Sequence, residues 1–206
     1  MGQIHQPLPV LLFFAVFSSV ETAFDWTKQR SEKTFGKLAL RSQPFPFEQF
    51  TDYYTRTMGE HLPKELWAFE KLIDPADLPT IKILTNTWEE EFKKFLAETE
   101  PEKPVQERPL NIDPGYIELG KLVLASTKNH AHRIYLSGGI FAETTLIYTQ
   151  RQWKALPWSY PDYQSPGSQN FLTQCRNLLK EKLAAKACPA APKSGICSAA
   201  QYPPME

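Results

Sequence analysis

Eight apolar residues in unbroken succession, Val10, Leu11, Leu12, Phe13, Phe14, Ala15, Val16 and Phe17, set the first limit on what this chain can become. A run with no polar alternation is a strand only if both of its faces are covered. It is a poor secretory leader, because only His5, Pro7 and Pro9 precede it where a positive start is required. The apolar stretch at residues 8–17 is also shorter than the roughly 20 residues that cross a bilayer. The expectation is a central strand with structure on each side. Ser18-x-x-Glu21 has capping-box spacing, which predicts a helix over residues 20–35 that stops at Gly36.

Further along, residues 37–43 read as a strand stopped by Pro44 and Pro46. Residues 45–59 are dense in rings (Phe45, Phe47, Phe50, Tyr53, Tyr54), which suits a β-segment packing aromatics inward and also a stacking platform. Residues 65–73 read as another covered strand. Leu78, Ile81, Leu84, Trp88, Phe92 and Phe95 recur at three and four, predicting an amphipathic helix over 75–96, with Glu89, Glu90, Glu91, Lys93 and Lys94 supplying its solvated charged face. Residues 98–109, with three prolines, read as an exposed loop.

Asp113-Pro114-Gly115 has turn chemistry, and Leu119, Leu122, Val123 and Ser126 then follow at helical spacing, with Lys121 on the same short helix; Leu122-Val123-Leu124 also suits an extended segment. Gly138-Gly139 predicts a tight hairpin that sets Ser137 against Ile140, Ile134 against Glu143 and His132 against Thr145. His132 and Glu143 then share a face, and Arg133 and Tyr135 point the other way. A second hairpin is expected at residues 149–152, a loop crossing the sheet at 158–163, and a last helix over 168–186. Together these elements predict an α+β fold: one domain over residues 1–186, a mixed, antiparallel-rich sheet of about five to seven strands with three or four packed helices, and a disordered Ala/Pro-rich tail over 187–206.

Composition narrows function mainly by exclusion. Lysine plus arginine and aspartate plus glutamate both number 23, so the formal net charge is zero, without the basic excess of a domain that neutralises many phosphates. The aromatic segments hold as many acids as bases, which argues against RNA. Cys175, Cys188 and Cys197 lack C-x-x-C spacing and read as free cytosolic thiols, although Cys188 and Cys197 would close a small loop under oxidising conditions. Phosphate-loop, G-x-G-x-x-G and G-x-S-x-G motifs are all missing from the sequence. His130 and His132 with Glu143 form the closest approach to a metal-ligand set, but satisfied histidines are the simpler reading, so no metal is expected.

Four stretches, PFPFEQFTDYYTRTMG, LIDPADLPTIKILTN, NIDPGYIELGKLVLASTKNHAHRIYLSGGIFAETTLIY and WSYPDY, resemble the uncharacterised bacterial family catalogued as domain of unknown function 4416. The resemblance runs from about residue 5 to residue 183. It implies that the N-terminal apolar run belongs to the domain and that the protein is cytoplasmic. It brings no activity, ligand, cofactor or fold with it. Relative to the family pattern, residues 98–109 and the tail are extended.

Two functional readings follow. In the first, a pocket gathers Asp113, Tyr116, Lys121, His132, Arg133 and Glu143 around an anionic, and particularly a phosphorylated, small molecule. Lys121 and Arg133 hold the anion, and His132, oriented by Glu143, acts as general acid or base. The opposite parity of His132 and Arg133 works against a shared pocket unless the strand bulges or ends there. In the second, a non-enzymatic scaffolding domain docks partner proteins through residues 45–54 and 158–163. The sequence leaves open whether the chain is an enzyme.

Overall fold

The structure, a computed structural model, describes residues 2–102 and 105–187. In chain order its elements are β1 (Val10–Phe17), α1 (Thr22–Phe35), β2 (Leu38–Arg41), β3 (Phe45–Pro46), α2 (Thr55–Met58), β4 (Pro63–Ile73), α3 (Leu78–Thr99), β5 (Asn111–Ile117), β6 (Lys121–Ser126), β7 (Ile134–Ser137), β8 (Ile140–Thr149), β9 (Gln152–Ala155) and α4 (Pro166–Ala187). The nine strands form one open sheet in the order β2-β4-β1-β5-β6-β8-β7, with β3 beside β4 and β9 beside β8. Every pairing is antiparallel. The fold class is therefore α+β, with more strands than the sequence suggested and none of them parallel. The expected tail lies outside the described residues, apart from Ala187, which ends α4.

All of β1 is buried, and its two parities divide between two cores. Leu11, Phe13 and Ala15 pack with Phe171, Leu172, Cys175 and Leu179 of α4. Leu12, Phe14 and Val16 pack with Ala23 and Phe24 of α1 and with Ile81, Trp88, Phe92 and Leu96 of α3. Helices on both faces are why the run needs no polar residue. Burying so much apolar surface is the main favourable contribution to folding.

Several local expectations are corrected. Residues 121–126 are a strand, not a helix: Leu122 and Leu124 face the α4 core, while Val123 and Ala125 face the opposite side with Leu78 and Ile140. A strand covered on both faces has a continuous apolar run that also satisfies helical spacing. Asp113-Pro114-Gly115 is not a turn but the middle of β5. Ser18 forms no capping box; its hydroxyl donates to the distant Pro109 carbonyl at 2.6 Å and accepts from Val20 N–H at 2.9 Å, so α1 starts at Thr22 without a side-chain cap. Residues 45–59 contribute only the two-residue β3, a 3-10 turn at Phe47–Gln49 and the one-turn α2, because Pro44 and Pro46 interrupt the strand. Of their rings, Phe47 and Tyr54 turn inward to meet Phe17, Met58 and Leu62, whereas Tyr53 stays exposed. At residues 158–163 the chain ends in a 3-10 turn, Pro161–Gln164.

The glycine hairpin forms, with φ of 58° at Gly138 and 78° at Gly139, and Ser137 faces Ile140. One residue later the register slips: Tyr135 faces Phe141 and Ile134 faces Ala142, so Ile134 does not meet Glu143 and His132 lies before the strand. Gly115 marks the closest approach of β5 and β6, where an added Cβ would stand 2.2 Å from the Val123 carbonyl oxygen. Both sides of that clash are backbone. Gly115→Ala is expected to destabilise the fold by about 2–3 kcal/mol, read as a lower urea midpoint at unchanged m-value.

Candidate functional site

Where β5 meets β6, Gly115 pairs with Leu124, Tyr116 with Val123 and Ile117 with Leu122. Extended by the same rule, the ladder would set Asp113 against Ser126 and Asn111 against Lys128. Instead the strands part, and those four residues line a cavity of about 120 Å³ between them. Pro114 accounts for the parting. Glu118, an even-numbered residue like Pro114, donates its N–H to Lys121 on the β6 side. Strand alternation points the Pro114 nitrogen to that same side, where it has no proton to offer, so the ladder ends at Gly115.

Ile112, the next residue of that parity, turns its peptide groups into the parted seam, and α3 satisfies both. Glu89 Oε1 accepts from Ile112 N–H at 2.7 Å, and Lys82 Nζ donates to the Ile112 carbonyl at 2.9 Å. Residues 82 and 89 are two helical turns apart and so lie on one side of α3. Side chains thus stand in for the missing strand, as buried peptide groups require.

The same two groups begin a chain of ion pairs. Lys82 Nζ lies 3.2 Å from Asp113 Oδ1, and Asn111 Nδ2 donates to Asp113 Oδ2 at 2.9 Å. Arg108 Nη2 lies 3.1 Å from Glu89 Oε2. Burial favours protonating Asp113, but Lys82, Arg108, Lys64 and the Asn111 bond outweigh it and hold the carboxyl below its ordinary value. For Glu89 burial wins and pushes the carboxyl up, against the pull of Lys82, Arg108 and the Ile112 N–H. Burial works against the Arg108 charge, yet Glu89 and Asp113 keep its pKa above the ordinary value. Burial, with Asp113 adding to it, also raises the Tyr54 phenol.

Across the cavity, a bulge in β8 brings in a second wall. Leu122 pairs with Leu146 but Val123 with Thr144, leaving Thr145 extra. Trp158 Nε1 donates to the Thr144 carbonyl at 2.9 Å, and Ser159 Oγ donates to that of Thr145. These bonds pin residues 158–159 to the bulge and deliver Tyr160, Asp162 and Tyr163 beyond it. Asp162 Oδ2 accepts from Lys64 Nζ at 2.7 Å; both side chains are buried, and the ammonium lies 4.2 Å from the Phe47 ring centre and 4.7 Å from that of Tyr163. Arg133 Nε donates to Glu143 Oε2 at 2.7 Å, while its Nη1 donates to Ser126 Oγ at 2.7 Å and to the Lys128 carbonyl at 3.1 Å, tying down the loop that carries Lys128.

The pattern of one family, described as a domain of unknown function (DUF4416), matches residues 8–179. The chain belongs to that family. No curated protein and no solved structure matches it.

Of the six residues singled out from the sequence, Asp113, Arg133 and Glu143 line the cavity. His132 stands behind Glu143, its Nε2 3.0 Å from Oε2 and its ring stacked on Trp158 at 4.9 Å and 6°, and it is not part of the lining. The parity conflict between His132 and Arg133 does not arise, because β7 begins only at Ile134. Tyr116 lies on the opposite sheet face against the Leu78 and Val123 cluster, its phenol pushed up to about 12 by burial and by Glu118. Lys121 sits at the far end of β6, 3.3 Å from Glu118. Lys64, Lys82, Arg108 and Lys128 were not anticipated. A charge at Lys82, next to the buried Ile81 of α3, was a usable signal; Glu89, expected on the solvated face, is instead nearly buried against Ile112 and Arg108, and Arg108, in a loop read as exposed, carried no signal.

Lys82→Met would leave the Ile112 carbonyl and the Asp113 carboxylate without their cation. The expected cost at pH 7 is about 2–3 kcal/mol, discounted because a third of the Asp113 side chain is exposed. A depressed carboxyl stabilises the fold above its unfolded pKa of about 3.9 and ceases to as pH falls through the folded value. The gap between wild type and variant should therefore shrink in urea titrations at pH 3 relative to pH 7.

Proposed function

We propose that this domain binds a small oxyanion, a phosphate group fitting best, in the seam between β5 and β6. The observation that carries the reading is a charge imbalance. Five cationic side chains line the cavity, and four hold their own carboxylate: Lys64 with Asp162, Lys82 with Asp113, Arg108 with Glu89 and Arg133 with Glu143. Lys128, the fifth, has no carboxylate partner among the described residues; its Nζ stands 3.2 Å from the Tyr53 hydroxyl and 4.9 Å from the centre of the Tyr53 ring. The site thus carries one positive charge beyond its own acids, on an exposed side chain of the cavity lining.

The hydroxyls of Ser126 and Thr127 and the amide of Asn86 add neutral donors to the lining, and hydroxyl, ammonium and guanidinium groups together suit a tetrahedral oxyanion. The paired carboxylates fix the cations in position before any ligand arrives, which lowers the ordering cost of binding. Glu143, held by Arg133 and His132, is a positioning group in this reading, with His132 one shell removed from the anion.

The scaffolding alternative has less support, because Phe47, Tyr54 and Tyr163 are buried, while the exposed Tyr53 and Tyr160 lie at the rims of cavities. No helix among the described residues is long and apolar enough to cross a membrane. We place the protein in a bacterial cytoplasm: the apolar run is built into the sheet as β1, and burial raises the Cys175 thiol, leaving it unreactive.

The test is thermal unfolding of the whole chain with inorganic phosphate. At a hundredfold excess over Kd, stabilisation of about 2.7 kcal/mol should raise Tm by about 5 °C or more. Lys128→Ala, a change at an exposed side chain, should leave the ligand-free Tm within a degree and abolish most of the shift. An unchanged Tm in phosphate, sulfate and carboxylate buffers alike would refute the reading.

A further inference from the structure

Beside the seam lies a second, wider cavity of about 580 Å³, and the two share Tyr54 and Arg108 as a common wall. A third link joins them: Lys128 lines the first, Tyr53 lines the second, and the two side chains touch. Resting on the proposed anion site, we infer that the anion is one end of a larger molecule, a phosphate monoester of a hydroxylated ring, with the ring lodged in this second cavity.

Size argues first. The seam cavity, at about 120 Å³, corresponds to a few waters at roughly 30 Å³ each, room for a phosphate group and little more. The adjoining space is within the range of ordinary small-molecule sites, roughly 300–1,000 Å³. The larger polar recess lies just across Tyr54 and Arg108 from the seam, within reach of a ligand that begins there.

Chemistry selects the ring. Arg56, Lys93 and Arg108 stand against Glu89, Glu90 and Glu107 around the second cavity, so its charge is balanced. A balanced set of donors and acceptors suits neutral hydroxyls, which both give and take hydrogen bonds, better than a second phosphate or an apolar group. Tyr53 and Tyr54 meet edge to face at 4.9 Å and 84°, and Tyr53 is 67% exposed, leaving ring surface for the C–H face of a sugar. Arg108, paired with Glu89 on its Nη2, has further N–H groups at the junction for a bridging ester oxygen.

The experiment is calorimetric titration of the whole chain with inorganic phosphate, ribose 5-phosphate, glucose 6-phosphate and the two free sugars. Sugar phosphates are expected to bind about tenfold tighter than inorganic phosphate, and free sugars much more weakly than either. Tyr53→Ala and Glu107→Ala both alter exposed side chains and should fold normally. Each should remove most of the sugar-phosphate advantage, and Glu107→Ala should leave the affinity for inorganic phosphate within about twofold, since Glu107 lines the second cavity and not the first. Lys128→Ala should weaken both classes together. Equal affinity for inorganic phosphate and sugar phosphates, or an advantage that survives both second-cavity variants, would overturn the ring assignment while leaving the anion site standing. No binding of any phosphate would overturn the anion site, and the ring assignment with it.

Discussion

A β-strand that leaves its neighbour must find other partners for its peptide groups, and in this molecule that requirement shapes the region around β5. Once Pro114 ends the ladder with β6, the Ile112 N–H and carbonyl face a gap rather than a strand. Unpaired burial of such groups would cost about 1–3 kcal/mol each. Glu89 and Lys82 of α3 fill the role, and because both are charged they bring further obligations: Glu89 takes Arg108, and Lys82 takes Asp113. A backbone defect becomes a lattice of ionic groups, and that lattice frames the cavity.

The opposite wall follows the same logic from a different irregularity. The extra residue at Thr145 frees two carbonyls that Trp158 and Ser159 satisfy, and this sets the course of the chain toward the buried Asp162–Lys64 pair. Buried pairs of this kind contribute little net stability, since desolvation offsets their attraction. Their consequence here is geometric: cations are held at fixed places around a space they do not fill. The aromatic rings of Phe47 and Tyr163 lie around the Lys64 ammonium and limit its freedom.

Much of the fold was legible in the sequence. The run of β1, the three-four spacing of α3 and α4, the glycine hairpin and the strand at β4 are each carried by residues close together in sequence, where periodicity reports which faces are covered. The failures share a cause. Asp113-Pro114-Gly115 reads as a turn in any local window, and only the presence of β1 on one side and a gap on the other makes a proline strand-compatible. Residues 121–126 read as a helix by spacing, with an extended run as the alternative, and only the neighbours on both sides decide for the strand. The hairpin register slipped by one at Leu136, which displaced His132 from the strand and dissolved the expected parity conflict with Arg133.

For the site, proximity in sequence was again the limit. His132 and Glu143 were expected side by side because one hairpin carries both, and they do touch, though His132 stands behind Glu143 rather than on the cavity; Arg133, expected on the other face, reaches Glu143 as well because it lies before the strand. Lys64, Lys82, Arg108 and Lys128 come from four separate elements and converge only because β5 parts from β6 and the chain after the β8 bulge crosses back. The sequence by itself determined the strongly periodic secondary elements, the buried strand at the centre and the absence of a net charge, since these depend on composition and short periods. Which charges meet, which are neutralised and where one cation is left over was decided by the tertiary structure alone, because electrostatic pairing depends on distance in space and not on separation along the chain.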